Sequence, residues 1–391
     1  MTPAARYAAA IEVLDEIAEG QAAEAALLRW TRAHRFAGSK DRAAIRDIVF
    51  SIERRRASCA AMGGGQTGRS LVLGYLSQEG QPAETVFGAD RYAPPPLEPG
   101  EEARDGSLLS EAETADLQPW IWTRFQEDYG AQAGAIAEAL RHRAPVWLRV
   151  NRAKAQRGAV VAQLAADGFA PEAHESCSTA IRINAGARQL AQHSLYLEGL
   201  VELQDLGSQI AMEASEIVQG SRVLDFCAGG GGKALAAAAR GAQVTAHDAM
   251  PARMGDLPTR AARAGTEIDL APPQGAYDYV ICDVPCSGSG AWRRSPSGKW
   301  QLGPDDLARL IALQRSIVRE ALGFLRPGGR LAYMTCSLLQ GENRDQRDFL
   351  LDASASGAEL SLLRDAQLTP LDGSDGFYYA VFESGHAATS G

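Results

Sequence analysis

The sequence predicts an α/β protein: an all-helical amino-terminal domain, a small α+β unit, then a mostly parallel, mixed sheet wrapped by helices. Three observations carry this. Apolar residues recur at helical spacing through the first quarter of the chain, with no strand-like run among them. From Ser208 onward, short β-branched runs alternate with helix-length segments, the rhythm of a sheet covered on both faces. Between these lies a strand–helix–strand–strand pattern bounded by polar turns. The expected boundaries are 1–80 for the helical domain, 81–140 for a linker and helical connector, 141–204 for the α+β subdomain and 205–391 for the sheet domain.

In chain order, Ile11, Val13, Leu14 and Ile17, then Leu27, Leu28 and Trp30, then Ile45, Ile48, Val49, Phe50 and Ile52 mark core-facing helices. Ser39 reads as an N-cap for the helix beginning near Lys40. Gly63-Gly64-Gly65 interrupts before a short helix at Leu71 to Leu76. Residues 79–110, with Pro94-Pro95-Pro96, read as a linker. Helices are expected near Pro119 and Gln132, a strand at Val146 to Asn151, a helix over 155–166, and strands at Ile181–Ile183 and Leu200–Leu203. The sheet domain follows: helix 208–218, strand 222–226, helix 233–239, strand 244–247, helix 251–264 and a short strand 267–270. Two strands ending in cysteine motifs, at 277–283 and 330–334, flank a helix over 305–325. A helix at 343–351 and strands near 358–363 and 377–383 close the chain.

The chain has 391 residues, 46% hydrophobic and 22% charged, which is ordinary for a globular protein. No apolar run reaches the roughly 20 residues of a membrane span, and the opening Met1-Thr2-Pro3-Ala4-Ala5-Arg6 lacks the apolar core of a signal peptide. A cytoplasmic location with reduced thiols is therefore expected. The six cysteines contain no pair of CxxC units, so no structural zinc is expected. A net charge of −9 speaks against nucleic acid, yet basic clusters stand out locally: Arg29 to Arg56, ending in Arg54-Arg55-Arg56; Arg141 to Arg157; and Arg293, Arg294 and Lys299. Each is either a phosphate-binding face or a solvated helix surface.

Two motifs carry chemistry. In the first, strand Val223-Leu224-Asp225-Phe226 runs into Cys227-Ala228-Gly229-Gly230-Gly231-Gly232-Lys233 and a helix, a turn whose glycines allow close backbone approach to a ligand. Asp248 ends the next strand, where a carboxylate can receive ribose hydroxyls. The pair fits a nucleoside cofactor such as S-adenosylmethionine or a dinucleotide. Lys233 is followed by Ala, which excludes a Walker-type phosphate loop. In the second, Asp283-Val284-Pro285-Cys286 and Thr335-Cys336-Ser337 put two cysteines at strand carboxyl ends, where open α/β sheets bind ligands. Methylating cytosine C5 needs a thiolate to add at C6, an acid near the ring and a group that assists elimination, and Asp283, Cys286 and Cys336 are of those types. Cys59, Cys177 and Cys282 read as core residues, and Cys227 as packing or cofactor support.

These stretches resemble the RsmB/Sun group of the RNA (cytosine-5) methyltransferase family. The matching residues are Gln204-Asp205 with Ser208-Gln209, Asp225 to Lys233, Asp283 to Gly290, Thr335-Cys336-Ser337 with Glu342-Asn343, and Asp375 to Ala380. Leu148-Arg149-Val150-Asn151 resembles the family's small RNA-contacting subdomain, and residues 1–77 its NusB-like helical domain. The resemblance implies a Rossmann-like, S-adenosylmethionine-dependent methyltransferase domain acting on RNA, with small-subunit ribosomal RNA as the leading substrate, as a monomer without metal. It implies Cys336 as nucleophile, Cys286 as the thiol assisting release, Asp283 at the cytosine edge and Lys233 in the site. Cys227, Ala228, Gly229, Gly230, Gly231, Gly232 and Lys233 would wrap the methionine part, Asp248 hold the ribose, and Asp269 flank the adenine. The chain departs from the family's Cys-Ala-Ala-Pro-Gly-Gly-Lys-Thr turn by losing its proline and threonine, which predicts a looser turn. Transfer RNA as substrate, or a non-catalytic RNA-binding factor, remain the alternatives.

Overall fold

In a computed structural model of the chain, residues 1–385 are described, and they form two compact units. One comprises Met1–Arg143 together with Trp292–Gln301; the other comprises Ala144–Ala291 and the chain from Leu302 onward.

The first unit is helical: α1 (Pro3–Ala18), α2 (Ala23–Ala33), α3 (Ser39–Arg54), α4 (Arg56–Gly63), α5 (Gly68–Gln78), α6 (Glu111–Thr114), α7 (Pro119–Tyr129) and α8 (Ala133–Leu140). Pro3 opens α1, and Thr2 caps it by accepting from the Ala5 N–H at 3.1 Å. Val13, Ile45, Val49, Ile52, Leu71, Val72 and Leu76 are fully buried in one core, and each such side chain contributes about 1.5–3 kcal/mol. Ser39 does not cap α3. The cap position is Gly38, without a side-chain bond, and Asp41 in the first turn instead receives the Met1 ammonium and Arg6.

The Arg54-Arg55-Arg56 end of the first basic cluster, and Lys299 of the third, are not open to solvent as free cations, although Arg29, Arg32, Arg35, Lys40, Arg42 and Arg46 are exposed. Arg54 is buried and donates to the Arg293 carbonyl at 2.7 Å, Arg55 pairs with Glu79 and Arg56 with Glu53. Lys299 is fully buried and donates to the Arg54 carbonyl at 2.6 Å. These cations are consumed by intramolecular partners that no local sequence pattern announces.

The second unit holds two sheets. The smaller, in the order β2-β3-β1-β4, is antiparallel throughout and comprises β1 (Val146–Val150), β2 (Pro171–Ala173), β3 (Ala180–Ile183) and β4 (Val201–Leu203), with α9 (Arg157–Ala166) and α10 (Ser194–Leu197). α11 (Leu206–Ala214) then leads into the larger sheet. Its elements are β5 (Arg222–Asp225), α12 (Gly232–Ala238), β6 (Gln243–Ala246), α13 (Leu257–Ala264), β7 (Tyr277–Asp283), α14 (Gly298–Gln301, within the helical unit), α15 (Pro304–Leu322), β8 (Leu325–Thr335), α16 (Arg344–Leu351), α17 (Ala353–Ser356), β9 (Leu360–Leu368) and β10 (Phe377–Ser384).

The six strands lie in the order β6-β5-β7-β8-β10-β9. β6, β5, β7 and β8 are parallel, and β10 is antiparallel to both of its neighbours. The chain reverses direction across the sheet between β5 and β7, and such a switch point opens a crevice at the carboxyl ends. α11, α12 and α13 cover one face and α15 and α16 the other. Strand β10 displays the two-residue period: Phe377, Tyr379 and Val381 enter one core, Tyr378, Ala380 and Phe382 the other. The helix expected over 251–264 is broken into a 3-10 turn, Pro251–Met254, and α13, with Gly255 between. The strand expected at 267–270 is reduced to an isolated bridge between Asp269 and Thr245. Pro272 and Pro273 stop any further ladder on that edge.

Among the described residues no helix is long and apolar enough to cross a membrane, and no group of His, Cys, Asp and Glu could hold a metal ion.

Candidate active site

Strands β7 and β8 run parallel in register, Asp283 opposite Met334, so the loops that leave them emerge side by side. This brings the Cys286 and Cys336 sulfurs to 3.4 Å. The two loops are clamped by Glu342, which is fully buried. Its carboxylate accepts from the Ser287 N–H at 2.8 Å, the Gln314 side chain at 2.9 Å and the Ser287 and Ser337 hydroxyls at 2.5 Å each. Backbone contact does the rest. Gly290 donates to the Cys336 carbonyl at 3.0 Å and accepts from Gly376 at 3.1 Å, and a Cβ at Gly290 would stand 1.9 Å from the Gly376 oxygen. Only glycine permits that approach.

The two thiols differ. Its bond to Cys336, then burial, then the charges of Cys336 and Glu342, hold the Cys286 pKa well above the ordinary thiol range. Cys286 therefore keeps its proton. Lys233, at the start of α12, donates to Asp283 at 2.6 Å and lies over the Phe377 ring. Burial works against its charge, but Asp283, Asp225 and Cys336 outweigh it, and its pKa is raised. A cation thus stands beside the Asp283 carboxylate, and its charge couples to Cys336.

The glycine turn lies at the switch point. Gly229 and Gly231 adopt positive φ, 48° and 79°, conformations open to glycine. The Gly229 N–H donates to Asp248 at 2.9 Å, and Asp248 also accepts from the Met250 N–H and pairs with Arg253. Cys227 and Ala228 begin the turn, with the Ala228 N–H on the His247 carbonyl. Burial, then the charges of Asp225, Asp283 and Asp248, push the Cys227 thiol up and keep it protonated. The structure therefore brings together Cys286 with Cys336, Lys233 with Asp283, and Gly229 with Asp248. Asp269 joins none of these pairs: it is exposed, and its carboxylate caps its own Ala271 N–H.

Sequence reasoning passed over Asp225 as a candidate. It is fully buried at the end of β5 and neither oxygen has a hydrogen-bond partner. Burial pushes its carboxyl up to about 7, against the pull of Lys233. An orphaned carboxylate beneath a glycine turn is a seat for a ligand cation, and the methionine ammonium of S-adenosylmethionine fits that chemistry. The signal was the acid two residues before Cys227.

Solved structures share this architecture. The chain matches PH0851 with a TM-score of 0.75 at 20% identity, covering 98% of this chain and 99% of that one. A methyltransferase homologue from Pyrococcus horikoshii matches with a TM-score of 0.63 at 22% identity, over 72% of this chain and 99% of its own. The sheet order and the glycine turn define a Rossmann-like methyltransferase whose methyl donor is S-adenosyl-L-methionine. Residues 212–383 match the family described as 16S rRNA methyltransferase RsmB/F, and residues 118–188 its ferredoxin-like domain. Ribosomal RNA small subunit methyltransferase B of Citrobacter koseri is 30% identical over 389 residues, 87% of this chain and 90% of that protein. Its counterpart in Klebsiella pneumoniae is 33% identical over 293 residues, 70% of this chain and 67% of that protein. The chain belongs to the RsmB/F family of 16S rRNA methyltransferases.

Proposed function

We propose that the protein methylates C5 of a cytosine in small-subunit ribosomal RNA, with Cys336 as nucleophile and Cys286 assisting release. The observation that carries this reading is the 3.4 Å contact between the two sulfurs, one of which, Cys286, is held protonated. Cys286 is held protonated, so the nucleophile's role falls to Cys336, whose charge couples to the Lys233 ammonium. A bond from Cys336 Sγ to cytosine C6 moves the ring π electrons to C5. The bound donor supplies an electrophilic methyl carbon, which that C5 then takes. Asp283, bonded to Lys233 at 2.6 Å, accepts from the exocyclic amino group and orients the ring. Loss of the C5 proton then re-forms the double bond and expels Cys336 as the thiolate; Cys286 passes its own proton to that departing sulfur, 3.4 Å away, and so becomes the thiolate that takes the proton from C5. Ribosomal RNA as substrate follows the names of the relatives, and the target base must leave any duplex to reach this crevice.

The test is bisulfite sequencing of ribosomal RNA from cells with the gene, without it, and with Cys336→Ala alone. One cytosine should be protected only in the first. Protection that survives Cys336→Ala removes that residue from its role. Protection confined to transfer RNA overturns the substrate.

A further inference from the structure

The turn that receives the methyl donor contains four consecutive glycines, Gly229 to Gly232. Such a segment has the largest conformational entropy a chain offers, and ordering it costs about 0.5–1 kcal/mol per residue relative to alanine. A ligand that had to impose this order would bind correspondingly weakly. The turn is nevertheless held, and the grip comes from the small sheet.

Arg149 of β1 is buried and donates through Nη1 to the Gly232 carbonyl and to Gln204 Oε1, each at 2.5 Å. Gln204 is fixed in turn by its bond to Ser208 at 2.9 Å. Arg260 of α13 donates to the Gly230 carbonyl, and its other nitrogen pairs with Glu202 of β4 at 2.8 Å. Glu202 is itself buried and also receives Arg263. Asn151, one residue beyond β1, donates to the Ala264 carbonyl at 2.9 Å and so fixes the end of the helix that carries Arg260. The residues that suggested RNA contact, Arg149 and Asn151, are thus both buried and turned inward.

We propose that Arg149 and Arg260 are positioning residues for the methyl-donor turn, through which the small sheet orders the four glycines before the cofactor arrives. They hold two alternate carbonyls from outside, while the Gly229 and Gly231 amides are held by Asp248 and the Ala228 carbonyl. They take over the restraint that a proline in the turn would give. The proposal rests on the cofactor alone and is independent of which base is methylated.

The experiment compares Arg260→Ala with Arg263→Ala in the full-length protein. Both arginines lie on α13 and both pair with Glu202, but only Arg260 reaches the turn. Either variant leaves Glu202 one partner, so equal losses of thermal stability are expected. Binding of S-adenosylhomocysteine by calorimetry should weaken about three- to tenfold in Arg260→Ala, the scale of one well-made hydrogen bond, and stay near wild type in Arg263→Ala. Amide exchange at 229–232 in the ligand-free protein should quicken only in Arg260→Ala, and KM for the donor should rise with kcat held. Arg149→Met removes both donations from Nη1 and should weaken binding likewise. Equal affinities in Arg260→Ala and Arg263→Ala, or unaltered exchange in the turn, would overturn the proposal.

Discussion

Burying a carboxylate without a hydrogen bond costs free energy, and Asp225 does so at the end of β5. Its folded pKa of about 7 lies above the ordinary value, so between roughly pH 4 and 7 the native state binds a proton that the unfolded state has lost. Its contribution to stability is therefore largest below that window and falls as pH rises through it, by about 4 kcal/mol in total. Asp225→Asn should flatten this slope and raise the ligand-free stability at pH 7.5, while weakening the methyl donor about tenfold through loss of its ammonium partner. Urea unfolding at pH 5 and 7.5 checks the first claim and calorimetry the second; an unchanged donor affinity would return Asp225 to a purely structural role. Cys286 gives a different readout. With Cys336 free to add but its neighbour removed, Cys286→Ala should accumulate a covalent protein–RNA adduct, visible as a shifted band on a denaturing gel. Clean turnover without adduct would detach Cys286 from release.

The unit that aligns the two thiols is larger than either motif. Glu342, in the turn before α16, draws together the loops after β7 and β8, with Gln314 of α15 as a further donor. Glu342→Gln keeps the shape but turns an amide toward these donors, so about 1–3 kcal/mol of stability should be lost. Methyl transfer should fall with it while donor affinity holds, since Glu342 makes no contact with the glycine turn. A variant with wild-type kcat would show that the thiols need no such clamp. At this scale the sequence was readable where local physics is decisive. Buried parallel strands such as β7 and β8 are continuous apolar runs, and glycine runs mark turns. It misled where partners are distant. Arg54-Arg55-Arg56 read as either a phosphate-binding face or a solvated helix surface, yet Arg54 is spent on a carbonyl 239 residues away. Leu148-Arg149-Val150-Asn151 alternates properly for a strand, but periodicity cannot tell whether the polar face meets solvent or another part of the protein. The cysteine pair was legible because both residues end apolar runs; the acid that aligns them, in the middle of a polar stretch, was noted only as part of a matching motif.

For the molecule as a whole, the consequential feature is that the helical unit is discontinuous in sequence, completed by Trp292–Gln301. That segment brings a buried cation to two buried acids. Lys299 and Glu53 and Asp116 are all fully inaccessible to solvent. Burial holds the Lys299 ammonium down to about 8, against the attraction of Asp116 and Glu53 and with added repulsion from Arg141 and Arg54. Burial also raises both acids. Below about pH 8 the lysine is charged in both native and unfolded states, so its desolvation is a cost that the acids offset; from there to about 10.5 the native state holds fewer protons, and this group's contribution to stability rises with pH. The acids cannot do without it at neutral pH. A fragment of residues 1–143 would retain Glu53 and Asp116 but lose Lys299, and removing one partner from a buried ionic group costs about 3–5 kcal/mol. It would also lose the buried Trp292 and the bond from the Trp300 indole to the Glu53 carbonyl at 2.9 Å. The fragment should therefore unfold at low temperature with a broad transition. Joining residues 292–301 to it through a flexible linker should restore a sharp one, and Lys299→Met in that joined form should abolish the gain. If the bare fragment melts as cooperatively as the joined one, the segment is a passenger on a unit that is complete without it.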